Sequence, residues 1–133
     1  MIDPIIIFAF IEVESTFKRG AFLNDRNGGS YGLMQIDLAT AEDRGFEGNA
    51  LDLYEPSTNL EYGVKILQWI ADSLAKHNLL SLDNMAAAYN SGLQHVLNGG
   101  TDAPYVAKIK DAYNKWNAAL GSFVPRALPG NGV

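Results

Sequence analysis

Three observations predict an all-α fold. No stretch of useful length alternates apolar and polar residues with the period of two that marks a half-buried strand. Apolar residues recur at spacings of three and four over residues 58–77 and again after Pro104. The chain also opens on a run, Asp3 to Phe17, that is apolar almost throughout. At 133 residues, 47% hydrophobic and 11% aromatic, it is long enough to bury one core and too apolar to be disordered.

The opening run is the first helix. Asp3 supplies a cap and Pro4 suits a first turn. Residues three, four and seven apart share a helical face, so Ile7, Phe10, Ile11, Glu14 and Phe17 form one stripe. A carboxylate on such a stripe loses hydration, which favours its protonated form and makes Glu14 a candidate general acid. Glu12 lies about 200° round the helix and cannot share that site. An ion pair of one of these acids with Lys18 or Arg19 is the competing reading, since buried ion pairs also shift titration.

Residues 18–30 end in Asn24-Asp25-Arg26-Asn27-Gly28-Gly29-Ser30, which is loop chemistry. A short helix is expected over about 31–43, then an irregular connection over 46–57 with at most one helical turn. From Thr58 to His77, Leu60, Val64, Leu67, Ile70 and Leu74 mark a long amphipathic helix, and Gly63 within it implies close packing against a neighbour. Ser81 caps a helix through Ala86-Ala87-Ala88-Tyr89 that Asn90-Ser91-Gly92 ends. A short helix over about 93–98 stops at Gly99-Gly100. Asp102 and Pro104 open the last one, with Val106, Ile109, Tyr113, Trp116 and Leu120 as its buried stripe. Trp69, Trp116 and Tyr113 are expected in the core on their spacing. The chain thus divides into a domain of about six helices over 1–120 and a tail or linker over 121–133.

Composition excludes several functions. Without cysteine there is neither a disulfide framework nor a thiolate zinc site, and His77 and His95 lack ligand spacing, so no metal and no cofactor is expected. The net charge of −5 and pI near 4.8 argue against nucleic acid. Residues 1–66 carry 11 acids against 5 bases, which fits a neutral polymer or a cation better than a polyanion. No stretch reaches the roughly 18 apolar residues of a membrane span. The opening run lacks the basic flank and small-residue cleavage site of a signal peptide, which leaves a removed leader, a parent protein or a phage particle as routes of delivery.

Three strings stand in order: Glu14-Ser15-Thr16-Phe17, Gly32-Leu33-Met34-Gln35-Ile36 and Ala88-Tyr89-Asn90-Ser91-Gly92. Together they resemble the three signature motifs of the soluble lytic transglycosylase family, the goose-lysozyme-like branch of the lysozyme superfamily, which cleaves peptidoglycan. Pro56, Asn59 and Gly63, and later Tyr105-Val106 with Tyr113, resemble its connecting pattern. The resemblance covers about residues 5–116. In one respect the chain departs from it: the stretch between Glu14 and Gly32 is longer than the commonest family pattern and lacks its usual Gly-Ala.

The resemblance implies a lysozyme-like domain with a sugar-binding cleft and makes Glu14 the catalytic acid. In the family one carboxylic acid protonates the oxygen between N-acetylmuramic acid and N-acetylglucosamine. As carboxylate it then takes the proton of the muramic C6 hydroxyl, which closes on C1 and leaves a 1,6-anhydro end without consuming water. The resemblance further implies that the Tyr89 hydroxyl reaches the glutamate, that Ser30, Gln35 and Asn90 contact sugar or its acetamido group, that Met34 packs beneath a ring, and that Tyr105 adds a hydroxyl near the acid. Met34 as ordinary core and Tyr89 as a buried, satisfied tyrosine are the plain alternatives.

The expected partner is a peptidoglycan glycan strand at the bacterial cell wall, periplasmic or extracellular, and a larger cell-wall, secretion or phage assembly is a further candidate. Two rival functions remain. One is a hydrolytic muramidase in which Asp25, Asp37 or Asp43 activates water opposite Glu14. The other is a glycan-binding module without turnover.

Overall fold

The computed structural model describes residues 1–25 and 28–125. Arg26 and Asn27 of the expected loop, and residues 126–133 of the expected tail, lie outside them. Six α-helices, one 3-10 helix and one two-stranded antiparallel pair make up the described residues. The chain divides into two compact units, Phe10–Ile66 and the pair of segments Met1–Ala9 and Leu67 onward, so the first and third helices each run from one unit into the other.

Helix α1 is Pro4–Ser15. Asp3, itself buried, caps it by accepting from the Ile5 N–H at 2.9 Å. Ile5, Ile6, Ala9, Phe10 and Ile11 are buried, so the helix is enclosed on most sides. It ends where Thr16 and Phe17 both turn into the left-handed region, at φ 49° and 62°. Phe17 therefore leaves the predicted stripe and is 45% exposed.

The unit Phe10–Ile66 continues through strands β1 (Phe22–Leu23) and β2 (Ser30–Tyr31), paired Phe22 with Tyr31 and Leu23 with Ser30. Strands of two residues are too short to show an alternating pattern, which is why no period of two marks them in the sequence. The helix expected over 31–43 is shorter. Residues 31–36 form a tight turn instead, closed by Tyr31 and Ile36 exchanging both backbone bonds at 3.0 and 3.1 Å, and α2 spans only Leu38–Asp43. Gly32 at φ 76° and Gln35 at φ 50° break the helix, and Asp37 caps α2 by accepting from the Thr40 N–H. A 3-10 helix, Ala50–Tyr54, fills the irregular connection.

Helix α3 spans Pro56–Lys76, starting two residues before Thr58 because Pro56 takes the first position and Glu55 acts as the cap. The Glu55 carboxylate accepts from the Ser57 hydroxyl and the Thr58 N–H, and these bonds, Ser57 first, lower its pKa to about 2. Leu67, Ile70, Ala71 and Leu74 on its second half are buried, whereas Trp69 falls on the side shared with Lys65, Asp72 and Lys76 and is 38% exposed, not core.

In the other unit, α4 is Leu82–Ser91, capped by Ser81 and closed by Gly92. Helix α5 is Leu93–Leu97 and α6 is Ala103–Leu120, with Pro104 in its first turn. Ala86, Ala87 and Ala88 are buried, and their small side chains let α4 approach α5 and α6 closely. On α6 the fully buried line is Tyr105, Ile109 and Ala112, while Val106, Tyr113, Trp116 and Leu120 flank it half-buried. Trp116 packs against Phe8 with ring centroids 5.9 Å apart.

Candidate active site

Glu14 stands in the last turn of α1, half-buried, one residue before Ser15 turns its hydroxyl back to the Ile11 carbonyl at 3.1 Å. The two left-handed residues that follow stop the helix there, so the carboxyl sits at a helix end and not along a buried flank.

In the same unit the turn 31–36 is held from below. Asn59 on α3 has no exposed surface, and its side-chain nitrogen donates to the Tyr31 carbonyl at 2.8 Å and the Leu53 carbonyl at 2.7 Å. Its oxygen accepts from the Met34 N–H at 2.8 Å. One amide thus serves three backbone groups from two segments, the turn and the 3-10 helix, and fastens both to α3. Gly32 is required beside it: a Cβ there would lie 2.5 Å from the Asn59 nitrogen and 2.8 Å from the Leu53 carbonyl, at a φ that side chains avoid.

Met34, expected beneath a sugar ring, is wholly buried. Its thioether fills the notch that Gly63 leaves on α3, so the side chain fastens the turn to the helix and offers no surface to a ligand. Gly63→Ala would drive a methyl into that sulfur. Overpacking costs about 1–3 kcal/mol, against about 1 kcal/mol gained in helix propensity. We expect a lower melting temperature for Gly63→Ala, and a smaller loss when Met34→Ala is added to make room. Equal losses with and without Met34 would contradict this packing.

Gln35 is placed differently. Its side-chain nitrogen donates to the Ala21 and Gly32 carbonyls, both at 3.0 Å, which fixes the amide in one orientation and leaves the side-chain oxygen as the atom to receive a donor. Ser30 is buried and donates to Asp25 at 2.5 Å, while the other Asp25 oxygen accepts from the Gly29 N–H at 3.3 Å. Asp25 is therefore bound into its own loop. Asp37 is likewise engaged as the cap of α2, accepting from the Thr40 N–H at 2.8 Å and hydroxyl at 2.9 Å. Asp43 ends that helix, exposed.

Tyr89, Asn90 and Tyr105 belong to the other unit. Tyr89 is half-buried on the last turn of α4, and Tyr105 is buried on the first turn of α6. Asn90 and Ser91 both donate to one oxygen of Asp102 at 2.7 Å. The sequence suggested Asp102 as a helix cap; its carboxylate instead ties the end of α4 to the start of α6. A tie across eleven or twelve residues leaves no local pattern to read. Asp102 also borders an open groove of about 600 Å³ between α4 and α6, with Asp83 and Lys110 facing at 3.2 Å on its wall.

The Asn90 side-chain bond, followed by that of Ser91, holds the Asp102 carboxyl below its ordinary 3.8. A carboxyl with a lowered folded-state pKa contributes stability that is complete above the unfolded value and fades as pH falls through the folded one. Asp102→Asn should therefore lower the melting temperature above about pH 4, with the gap closing as pH falls below the ordinary carboxylate range. A gap constant across that range in thermal melts would contradict the tie.

Among the described residues no group of three His, Asp or Glu side chains could hold a metal, and no helix is long and apolar enough to cross a membrane. Both histidines are exposed, each with a ring nitrogen at 2.9 Å from a carbonyl, Ser73 for His77 and Thr101 for His95.

The family model described as "Transglycosylase SLT domain" matches residues 1–112. Among solved structures, the chain is similar to the 70 kDa soluble lytic transglycosylase of Escherichia coli, with a TM-score of 0.74 and 21% identity over 91% of this chain. It is also similar to an inactive mutant of lytic transglycosylase Slt from Pseudomonas aeruginosa, with a TM-score of 0.75 and 20% identity over 96% of this chain. It spans 22% and 24% of those two chains. No curated protein matches. The similarity extends to an all-α, lysozyme-like fold.

Proposed function

The chain belongs to the transglycosylase SLT domain family, and from that premise we propose that it cleaves the β-1,4 bond between N-acetylmuramic acid and N-acetylglucosamine in peptidoglycan without water, with Glu14 as the single catalytic carboxyl. Protonated Glu14 gives its proton to the glycosidic oxygen as the bond from C1 to that oxygen breaks. The Glu14 carboxylate then takes the proton of the muramic C6 hydroxyl as that oxygen bonds to C1. The proton returns to the side chain, and the products together have the mass of the substrate.

What supports the non-hydrolytic reading is that two of the three candidate aspartates, Asp25 and Asp37, are employed in local structure, while Asp43 stands exposed at the end of α2. Inverting or retaining hydrolysis requires a second carboxylate across the sugar from the first, and the bonds of Asp25 and Asp37 are already directed to their own loop and helix. Gln35 supports the reading as a receptor for an acetamido or hydroxyl donor through its uncommitted oxygen. Tyr89, Asn90 and Tyr105 are proposed for the same reaction on the strength of their motif. Ser30 acts by holding Asp25 and Met34 by holding the turn, each one step removed from the sugar.

Mass spectrometry of cell wall digested by the pure protein tests this. Fragments lighter by one water than the hydrolysis products, with anhydro ends, are expected. Reducing ends would establish a muramidase instead, and glycan binding without cleavage would establish a binding module. Site of action at the cell wall, and any larger assembly there, follow from the same proposal.

A further inference from the structure

Three aromatic rings stand in a row in the unit Phe10–Ile66. Phe22 on β1 lies 5.2 Å from Tyr31 on β2 at a tilt of 58°, and Tyr31 meets Tyr54, at the end of the 3-10 helix, edge-on at 5.2 Å. Phe22 is 49% exposed and its neighbour Leu23 is 60% exposed, so apolar surface faces water at a place where folding does not require it.

The position of the row is nonetheless built. Gly29 carries no side chain where a Cβ would lie 2.6 Å from the Phe22 ring and 3.2 Å from the Tyr31 hydroxyl, so the backbone opposite has been cleared for the two rings. The strand pairing of Phe22 with Tyr31 fixes their separation. Immediately before Phe22, the Ala21 carbonyl accepts from the Gln35 side chain at 3.0 Å and from the Gly32 N–H at 2.8 Å. The aromatic row and the amide proposed to receive sugar are thus parts of one hydrogen-bonded turn.

We propose that this row is a glycan subsite, in which Phe22 and Tyr31 stack against the apolar C–H face of an N-acetylhexosamine next to the one held by Gln35. The inference rests on the function proposed above. Sugar rings present flat C–H faces rimmed by hydroxyls, the shape that an exposed, rigid phenyl ring beside a phenol accommodates. Charge is compatible with this: residues 10–66 carry ten acids and five bases, a field that discourages densely charged polyanions such as nucleic acid. Phe22 and Tyr31 both lie between Glu14 and Gly32, in the stretch that joins the proposed acid to the turn of Gln35, so the row would set which glycan strands the chain holds.

The test uses a tetrasaccharide of alternating N-acetylglucosamine and N-acetylmuramic acid, titrated into Glu14→Gln protein so that binding is read without turnover, with cleavage of cell wall by the unaltered protein measured alongside. Adding Phe22→Ala should weaken binding about tenfold, as loss of an aromatic contact does, while Phe22→Trp retains it. Because Phe22 is half outside the fold, its variants should melt close to the parent, and the Trp variant separates ring loss from misfolding. Unchanged affinity in Phe22→Ala, with cell wall still cleaved by the unaltered protein, would overturn the subsite and leave the proposed function standing. An unaltered protein that neither binds nor cleaves would overturn both.

Discussion

Glu14→Gln is expected to reduce cleavage of peptidoglycan by at least about a hundredfold, the lower range of what a positioned acid contributes, with the fold intact. Glutamine keeps the shape and polarity of the side chain but can neither give nor take the proton, and the proposed reaction uses that proton twice. Stability should change little, since Glu14 is half-buried at a helix end and glutamine is nearly isosteric with it. Glu12→Gln, two residues away on another face, serves as the comparison and should retain activity. A Glu14→Gln protein that melts normally and turns over at the parent rate would remove Glu14 from the mechanism.

Asn59→Ala is expected to have the largest effect on stability. The substitution removes the side-chain partner of the Met34 N–H and of the Leu53 carbonyl, both buried, and one of the two donors to the Tyr31 carbonyl, which keeps the Ile36 N–H. Leaving a single buried polar group unsatisfied costs about 1–3 kcal/mol, so a loss of about 3 kcal/mol is reasonable for the set. For a domain of this size that is a fall in melting temperature of about 10 °C. Activity should fall further than the unfolded fraction explains, because the turn that carries Gln35 loses its anchor. A melting temperature within about 2 °C of the parent would show that these groups find other partners.

How much of this could be read from residues alone depended on how local each cause was. Helices α4, α5 and α6 were legible because Ser81, Gly92, Gly99 and Pro104 punctuate them within a few residues of an apolar period. The turn 31–36 was not: a glutamine at φ 50° carries no mark in the sequence, and a bonded pair at Tyr31 and Ile36 looks like the first turn of a helix. Trp69 was misplaced because spacing tells which residues share a face but not how far round the helix the core extends.

The site divides the same way. Glu14 and Gln35 stand out by motif, and the geometry adds that the Gln35 nitrogen is already engaged and its oxygen is the group left to act. Gly63 announced close packing, but only the structure identifies Met34 as what it packs against, and so moves Met34 from the sugar to the scaffold. Asn59 and Asp102 do their work across long sequence separations, which no short pattern encodes.

Cleavage in water enriched in oxygen-18 tests the central claim most directly. If the muramic C6 hydroxyl is the nucleophile, the newly formed muramic ends contain no label and every cut yields an anhydro ring. Label at C1 of those ends, one atom for each bond broken, would mean that water and not the C6 hydroxyl is the nucleophile.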